Sequence, residues 1–393
     1  MPERYKLMIV AGEPSGDAHA AALVKALNSN KHEIYFEYSG ATGPAMRAAG
    51  VETVVNSDTL AIMGIVEVGR ILPRFIGAYR RLKSAALTSF PDAVVLVDWP
   101  EFNLRIAKSL HRRGMKIIYY ISPQLWAWRP YRVRNIRRDV DLLLSILPFE
   151  KHWYASRKVN HVEFVGHPLA GEVQATFGRE EFCRKHDLDP SHPIVALLPG
   201  SRIRELQRIL PRMLDGVESM RRHRPDVQFV VVVARSRSIE ETSVIIPEAL
   251  RSKLTIVQGQ TREALAASDA AAVASGTATL EAAILGTPMV IVYRESKMNW
   301  HTLGRLITAE HFGLVNLIAG ERLVTELMQN ELTGDQLANE LVELIEPGRA
   351  AFLRQRLREV AAGLGDPGAS SRAAEAIIVN LRRWRTSEFK PQN

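Results

Sequence analysis

The feature that most constrains this chain is its rhythm: short, nearly unbroken apolar runs alternate with amphipathic helical stretches. The runs are Lys6–Ala11, Ile34–Ser39, Ala93–Asp98, Lys116–Ile121, Leu142–Ile146, Val162–Val165, Ile194–Leu198, Gln228–Val233, Leu254–Val257, Ala270–Ala274 and Met289–Tyr293. A half-solvated strand alternates apolar and polar residues. Most of these do not, which is the mark of strands buried on both faces of a parallel sheet. Between them lie helical stretches such as Ala18–Leu27, Asn103–Arg113, Arg204–Arg222 and Thr277–Leu285. Repeated βα units specify an α/β, doubly wound architecture. Eleven strands are too many for one ordinary sheet, so two Rossmann-like domains facing a cleft are expected. A break falls near 166–192, where Gly166-His167-Pro168 leads through a polar stretch to Asp189-Pro190-Ser191-His192-Pro193. The expected division is 1–170, 190–346 and a helical tail over 347–393, built from Ala350–Gly363 and Ala369–Arg385.

Charge narrows the partners. Lys plus Arg number 51 against 43 Asp plus Glu, a formal +8, which favours nucleic acid, an acidic membrane surface or phosphorylated small molecules. The single cysteine, Cys183, excludes an internal disulfide and a multi-cysteine zinc site and fits a reducing cytosol. The apolar run Leu7–Ala11 is too short for a signal-peptide core. No stretch approaches the roughly 18 uninterrupted apolar residues of a spanning helix. A chain that neither is exported nor crosses a membrane is expected, though one free to touch a membrane surface.

Ligands of open parallel sheets bind beyond the carboxyl ends of the strands, so the residues after each run carry the functional reading. The first run ends in Gly12-Glu13-Pro14-Ser15-Gly16-Asp17. Gly16 permits close backbone approach, and Ser15 or Asp17 can cap the following helix. The pattern is neither GxGxxG nor GxxxxGK[ST], and its carboxylates would repel a phosphate. It reads either as a polar sugar or acceptor site or as a capped turn. Ala93–Asp98 runs into Trp99-Pro100-Glu101-Phe102-Asn103, where Asp98 is either a general base for an attacking hydroxyl or, like Asn103, a helix cap. Trp126 and Trp128, followed by Arg129, Arg132, Arg134, Arg137 and Arg138, offer stacking and phosphate binding to a nucleic acid or form a solvated basic helix; no recognised nucleic-acid motif supports the former.

The second half holds a sharper pair. Ile194–Leu198 leads into Pro199-Gly200-Ser201-Arg202, and Ala270–Ala274 leads into Ser275-Gly276-Thr277 with Glu281 one helical turn on. Glycine, a hydroxyl and a planar cation at a helix start suit a diphosphate. Thr277 and Glu281 share a helical face, so backbone N–H groups can hold phosphate while Glu281 accepts from ribose hydroxyls. Ordinary caps are the alternative. Asp139-Val140-Asp141 has the spacing of a Mg²⁺ pair, but it follows Arg137-Arg138 and reads rather as a loop paired with them; no metal is expected. Val68, Ile71, Leu72, Phe75, Ile76 and Tyr79 fall at helical spacing with Arg70, Arg74, Arg81 and Lys83 elsewhere. Such a helix either lies on an anionic membrane, covering acyl chains, or faces the core, and Pro73 bends or breaks it.

Taken in order, these segments resemble the lipid-A-disaccharide synthases, glycosyltransferases of the GT-B type. The resemblance runs through Val10–Asp17, Ile62–Val68, Ser122–Trp128, Leu147–Glu150, Val165–Pro168, Leu198–Arg202, Ser275–Glu281 and Asn316–Gly320, nearly the whole chain to about residue 320. It implies transfer from UDP-2,3-diacylglucosamine to 2,3-diacylglucosamine 1-phosphate (lipid X), giving a β-1,6 disaccharide phosphate and UDP, without a cofactor or metal. It implies Asp98 as the base, with Glu101 the weaker candidate. Gly200, Ser201, Arg202, Ser275, Gly276, Thr277, Glu281 and Asn316 would hold the UDP donor. Glu13, Ser15, Gly16, Asp17, Glu101 and Gln124 would face the acceptor sugars. Acyl and membrane contact would fall on Met63, Val68, Ile71, Leu72, Phe75 and Ile76, with the protein peripheral on the cytoplasmic face of a Gram-negative inner membrane. The tail would cross back onto the first domain or swap within a homodimer. The rivals are a UDP-N-acetylglucosamine 2-epimerase sharing the Ser275–Glu281 half-site, a nucleic-acid binder using Arg129–Arg138, and a silent lipid or nucleotide binder.

Overall fold

The computed structural model describes residues 3–29, 34–58, 68–296 and 310–388, with the backbone alone for 68–72 and 387–388. It divides into two compact units, 1–168 together with 365–393, and 169–364.

The first unit is built on seven strands, β1 (Arg4–Ala11), β2 (Tyr35–Thr42), β3 (Glu52–Asn56), β4 (Ala93–Val97), β5 (Ile117–Tyr120), β6 (Leu142–Ser145) and β7 (Val162–Phe164). They lie in the order β3-β2-β1-β4-β5-β6-β7, and every adjacent pair is parallel. The pleat explains the unbroken apolar runs. In β1, Leu7 and Ile9 enter a core against the helix Pro14–Asn28, while Met8 and Val10 enter the opposite core under the helices Val68–Ser89 and Pro100–His111. Both faces are covered, so both side-chain sets must be apolar.

The second unit holds β8 (Ile194–Leu198), β9 (Gln228–Val233), β10 (Leu254–Gln258), β11 (Ala270–Ala274), β12 (Met289–Tyr293) and β13 (Glu326–Met328). Their order is β10-β9-β8-β11-β12-β13, again parallel throughout. Each sheet therefore reverses its strand order once, between β1 and β4 and between β8 and β11. Those reversals are the topological switch points at which doubly wound sheets bind ligands.

All eleven apolar runs are strands. The sequence reading omits β3 and β13, the edge strands on one side of each sheet: β3 is largely exposed, and β13 is only three residues long and opens with Glu326, so neither carries an unbroken apolar run. The helix Val68–Ser89 continues through Pro73. The tail is shared. The helix Pro347–Gly363 packs Leu353, Leu357 and Val360 into the second unit's core. The last helix, Ala369–Glu388, places Ala373, Ile377 and Leu381 in the first unit's core beside the helix Pro14–Asn28. There Arg372 donates to the Val165 carbonyl at 2.8 Å and Arg382 meets Glu3 at 2.9 Å. The stretch 171–189, read as a boundary, lies inside the second unit and buries Phe182 and Cys183.

Candidate functional site

At the first switch point β4 ends in a fully buried apolar run, and the chain then takes two consecutive left-handed residues, Asp98 (φ 49°) and Trp99 (φ 51°). For side-chain-bearing residues that conformation costs of order 1 kcal/mol each and persists only where neighbours over-determine it. Here they do. The Asp98 amide donates to the Tyr120 carbonyl at 3.1 Å, and the Asp98 carbonyl accepts from the Tyr119 hydroxyl and from Asn103 Nδ2, each at 2.7 Å. Trp99 stacks on Phe102 with ring centroids 4.2 Å apart and meets Phe75 at 5.6 Å. Its indole lies so close over Gly12 that any β-carbon there would collide with the ring.

The clamp leaves the Asp98 carboxyl half-buried, and its pKa is pushed up to about 6, by burial first and then by the nearby Glu13 carboxylate, against the Trp99 amide that lowers it. A strained backbone and a raised carboxyl at a switch point are the combination expected of a working proton acceptor.

Glu101 is placed otherwise. Both its oxygens accept from Arg132, at 2.7 and 3.0 Å, and Arg129 adds a contact at 3.2 Å. The Arg132 hydrogen bond holds its pKa below the usual range. It is a clamp for the segment after β5, with little proton affinity. Arg129 and Arg132 are thereby engaged within the protein, Arg134 lies over the Tyr131 ring and Arg138 pairs with Asp139.

Glu13 and Ser15 are exposed on the turn that opens the helix Pro14–Asn28, and Gly16 is buried. Asp17 departs from the expectation of sugar contact. It is 3% exposed, and its carboxylate accepts from the amides of Gly43, Ala45 and Met46 at 2.8, 2.8 and 3.1 Å. It caps the short helix Pro44–Ala48 and has no face left for a ligand.

Gln124 is exposed on the loop after β5, and that loop rests on a residue the sequence reading gave no role. Glu150, 1% exposed, accepts from Trp126 Nε1 at 3.1 Å and from the Leu147 amide at 3.2 Å. Ser122 and Tyr154 share a hydrogen bond of 2.8 Å beside it. Burial pushes the Glu150 carboxyl up to about 7. Buried acids capping the next strand's loop leave no local sequence signature beyond an acid after an apolar run.

Asp139 and Asp141 diverge. Asp139 takes both contacts from Arg138, while Asp141 accepts from the Ile117 amide at 2.8 Å and faces His111 and Lys116. Among the described residues no three His, Cys, Asp or Glu side chains gather into a metal-sized group. Of the residues expected to touch acyl chains, Met63 lies outside the described residues, as do the side chains of Val68, Ile71 and Leu72. Phe75 turns inward onto Trp99 and Phe102, correcting its expected outward role, and Ile76 is 41% exposed.

In the second unit the loop after β8 caps itself. Glu205 Oε2 accepts from the amides of Ser201 and Arg202 at 3.2 Å each, and Glu205 Oε1 meets the Arg202 guanidinium at 3.0 Å. A carboxylate therefore sits where the sequence reading places a phosphate, and the Arg202 side chain projects 82% exposed. The loop after β11 is different. Gly276, at φ 156°, and Thr277 are exposed, no side chain caps the helix Thr277–Leu285, and an added β-carbon at Gly276 would meet open space. Ser275 is fixed by its amide to the Val292 carbonyl at 2.9 Å. Glu281 is half-buried and paired with Arg262 at 3.2 Å.

Asn316 corrects a further expectation. It is fully buried, Nδ2 donates to the Val324 carbonyl and to Glu326 Oε1 at 2.8 Å each, and Oδ1 accepts from the Val324 amide at 2.9 Å. Glu326 also accepts from the amides of Phe312 and Gly313. Asn316 thus organises the segment ahead of β13, with its amide fully used.

Comparison with known proteins gives concordant results. Residues 7–377 match the family model described as lipid-A-disaccharide synthetase. The lipid-A-disaccharide synthase of Geobacter sulfurreducens is 39% identical over 378 residues, covering 96% of this chain and 97% of that protein. That of Geobacter metallireducens is 41% identical over 383 residues, covering 97% and 98%. Among solved structures, the glycotransferase of kitacinnamycin aligns with a TM-score of 0.62 at 18% identity, covering 97% of this chain and all of that one. A UDP-GlcNAc 2-epimerase from Neisseria meningitidis, solved with UDP-GlcNAc, aligns at 0.58 and 11% identity, covering 97% and 100%. At such identities the likeness is one of fold.

Proposed function

The chain belongs to the lipid-A-disaccharide synthase family, and from that premise we propose how its two units divide the reaction. It is a glycosyltransferase of lipid A disaccharide synthesis on a GT-B fold. The proposed donor is UDP-2,3-diacylglucosamine and the proposed acceptor 2,3-diacylglucosamine 1-phosphate, joined β-1,6 with inversion.

Asp98 is the proposed base. The acceptor 6-hydroxyl loses its proton to the Asp98 carboxylate as its oxygen bonds to the donor's anomeric carbon. The bond from that carbon to the diphosphate breaks on the opposite face, and its electron pair leaves with UDP. A base near pKa 6 is mostly ionised at neutral pH yet still holds a proton better than an exposed aspartate, which suits the task. Glu101, held low by two arginines, is the poorer choice.

Glu13, Ser15, Gly16 and Gln124 are proposed to line the sugar side. In the second unit, the open helix start at Ser275-Gly276-Thr277 and the exposed Arg202 suit the diphosphate, whose negative charge grows as the bond breaks. Glu281 is proposed to accept from the ribose. Ser201 and Arg202 contribute amides only when Glu205 yields them, and Gly200 is proposed to line the same loop.

Among the described residues no helix is long and apolar enough to cross a membrane; contact with an anionic inner-membrane surface through the helix Val68–Ser89 is proposed. The observation that carries the reading is the half-buried, left-handed Asp98 at the first switch point, in a chain of this family. The test is turnover of both substrates in neutral detergent with the anomeric configuration of the product read by NMR. A β-linked disaccharide phosphate supports it; an α-linkage or turnover of UDP-N-acetylglucosamine without lipid contradicts it.

A further inference from the structure

Between the helix Val68–Ser89 and the edge strand β3 lies a groove of about 530 Å³ lined by Val55, Asn56, Pro73, Arg74, Gly77, Ala78 and Arg81. Arg74 and Arg81 are seven residues apart, two helical turns, so they project from one face with about 10 Å between their α-carbons. Gly77 lies midway, and an added β-carbon there would meet nothing within 4 Å, so the space between the arginines is open to the helix backbone. Both arginines are exposed, and among the described residues neither has a carboxylate partner. Asp58, the acid following the groove's Val55-Asn56 wall, is held by Arg47 at 2.7 Å.

Two guanidinium forks with no carboxylate partner among the described residues, set over a floor without a side chain, suit one multiply charged, multi-oxygen anion. A point of contact with the reacting loop comes from the same helical turn: Phe75, next to Arg74, meets Trp99, the residue after Asp98. We propose that this groove binds the phosphomonoester of the acceptor, an acylated sugar phosphate, with Arg74 and Arg81 as its ligands and Gly77 as the opening that admits it. The proposal rests on the lipid-phosphate acceptor of the reading above. It assigns to the basic face a particular headgroup instead of a general attraction to anionic lipid.

The test compares binding of 2,3-diacylglucosamine 1-phosphate with that of the same lipid lacking its phosphate, in neutral detergent micelles. The proteins are the wild type, Arg74→Gln with Arg81→Gln, and Gly77→Leu. The wild type is expected to prefer the phosphorylated lipid, and each arginine to supply roughly tenfold of that preference. The double variant should bind the two lipids alike while its affinity for UDP is unchanged. Gly77→Leu, which fills the opening from a helical position that tolerates leucine, should weaken the phosphorylated lipid roughly tenfold, as loss of one of the two forks would. A phosphate preference that survives in the double variant overturns the proposal. So does a double variant that loses only its binding to phosphatidylglycerol vesicles, because the arginines would then serve phospholipid headgroups. Wild type that forms no disaccharide, yet shows the preference and its loss, sinks the proposed reaction and leaves this site standing.

Discussion

The two units share one strand order and furnish it differently. In the first, the switch-point loop is strained, aromatic and tightly over-determined: Asp98 and Trp99 are forced left-handed by Tyr119, Asn103, Phe102 and Gly12. In the second, the corresponding loops are short helix starts. One is closed by its own Glu205 and the other is open at Gly276. A raised carboxyl needs a rigid, partly dry setting, because solvent access would return it to an ordinary value. Diphosphate capture needs exposed backbone N–H groups and a mobile cation. On the proposed function, the same topology would serve proton transfer in one unit and anion binding in the other by changing the loop at a strand's carboxyl end.

The largest effect that can break this contrast is at Asp98. Asp98→Asn keeps the shape but removes the proton acceptor, and a loss of roughly 10²–10⁴-fold in kcat is expected with UDP affinity intact. The same change should raise stability above pH 6 by about 1–2 kcal/mol, measured by urea unfolding. The sign comes from the raised folded-state pKa. The folded protein binds the proton more tightly than the unfolded chain, so ionisation weakens the fold as pH rises through 4 to 6.

Next in size, Asn316→Ala should destabilise the second unit by about 2–4 kcal/mol, because it leaves the Val324 amide and the buried Glu326 short of partners. The thermal midpoint reports it. Arg202→Ala and Glu281→Ala should each raise the donor KM by roughly tenfold or more, since each removes a charged hydrogen-bonding group. The acid limb of kcat/KM for wild type should fall near pH 6, and a limb near pH 4 would mean that Asp98 is not the base. Smallest, Glu101→Gln should slow turnover less than tenfold, because it loosens the hold on Arg129 and Arg132 without removing a proton acceptor.

The β8, β11 and β4 runs were legible because burial on both faces demands continuous apolar residues, and the loops after them were legible because strand ends are where such folds bind. The features that escaped lie in contacts made across sequence distance. Asp17 and a sugar-binding aspartate look alike in a list of residues; only the three amides of the helix Pro44–Ala48, some 28 positions on, give it a capping role. Asn316 sits in a motif-like segment, yet its amide is consumed by Val324 and Glu326. The resemblance already prefers Asp98 to Glu101; what the fold adds is that the arginines hold Glu101. Glu205, just after the Pro199–Arg202 loop, shows the converse case: its spacing from Arg202 was in plain view, and its hold on the Ser201 and Arg202 amides emerges only from the folded geometry.

The division of labour between the units is tested most directly by measuring UDP affinity calorimetrically and turnover in neutral detergent for Asp98→Asn and Glu281→Ala side by side. Expected is a crossed result: Asp98→Asn binds UDP as wild type does and loses turnover, whereas Glu281→Ala loses UDP affinity and recovers much of its rate at high donor concentration. If Asp98→Asn instead loses UDP affinity, or turns over at the wild-type rate, the first unit does not carry the proton transfer and the contrast between the two switch points fails.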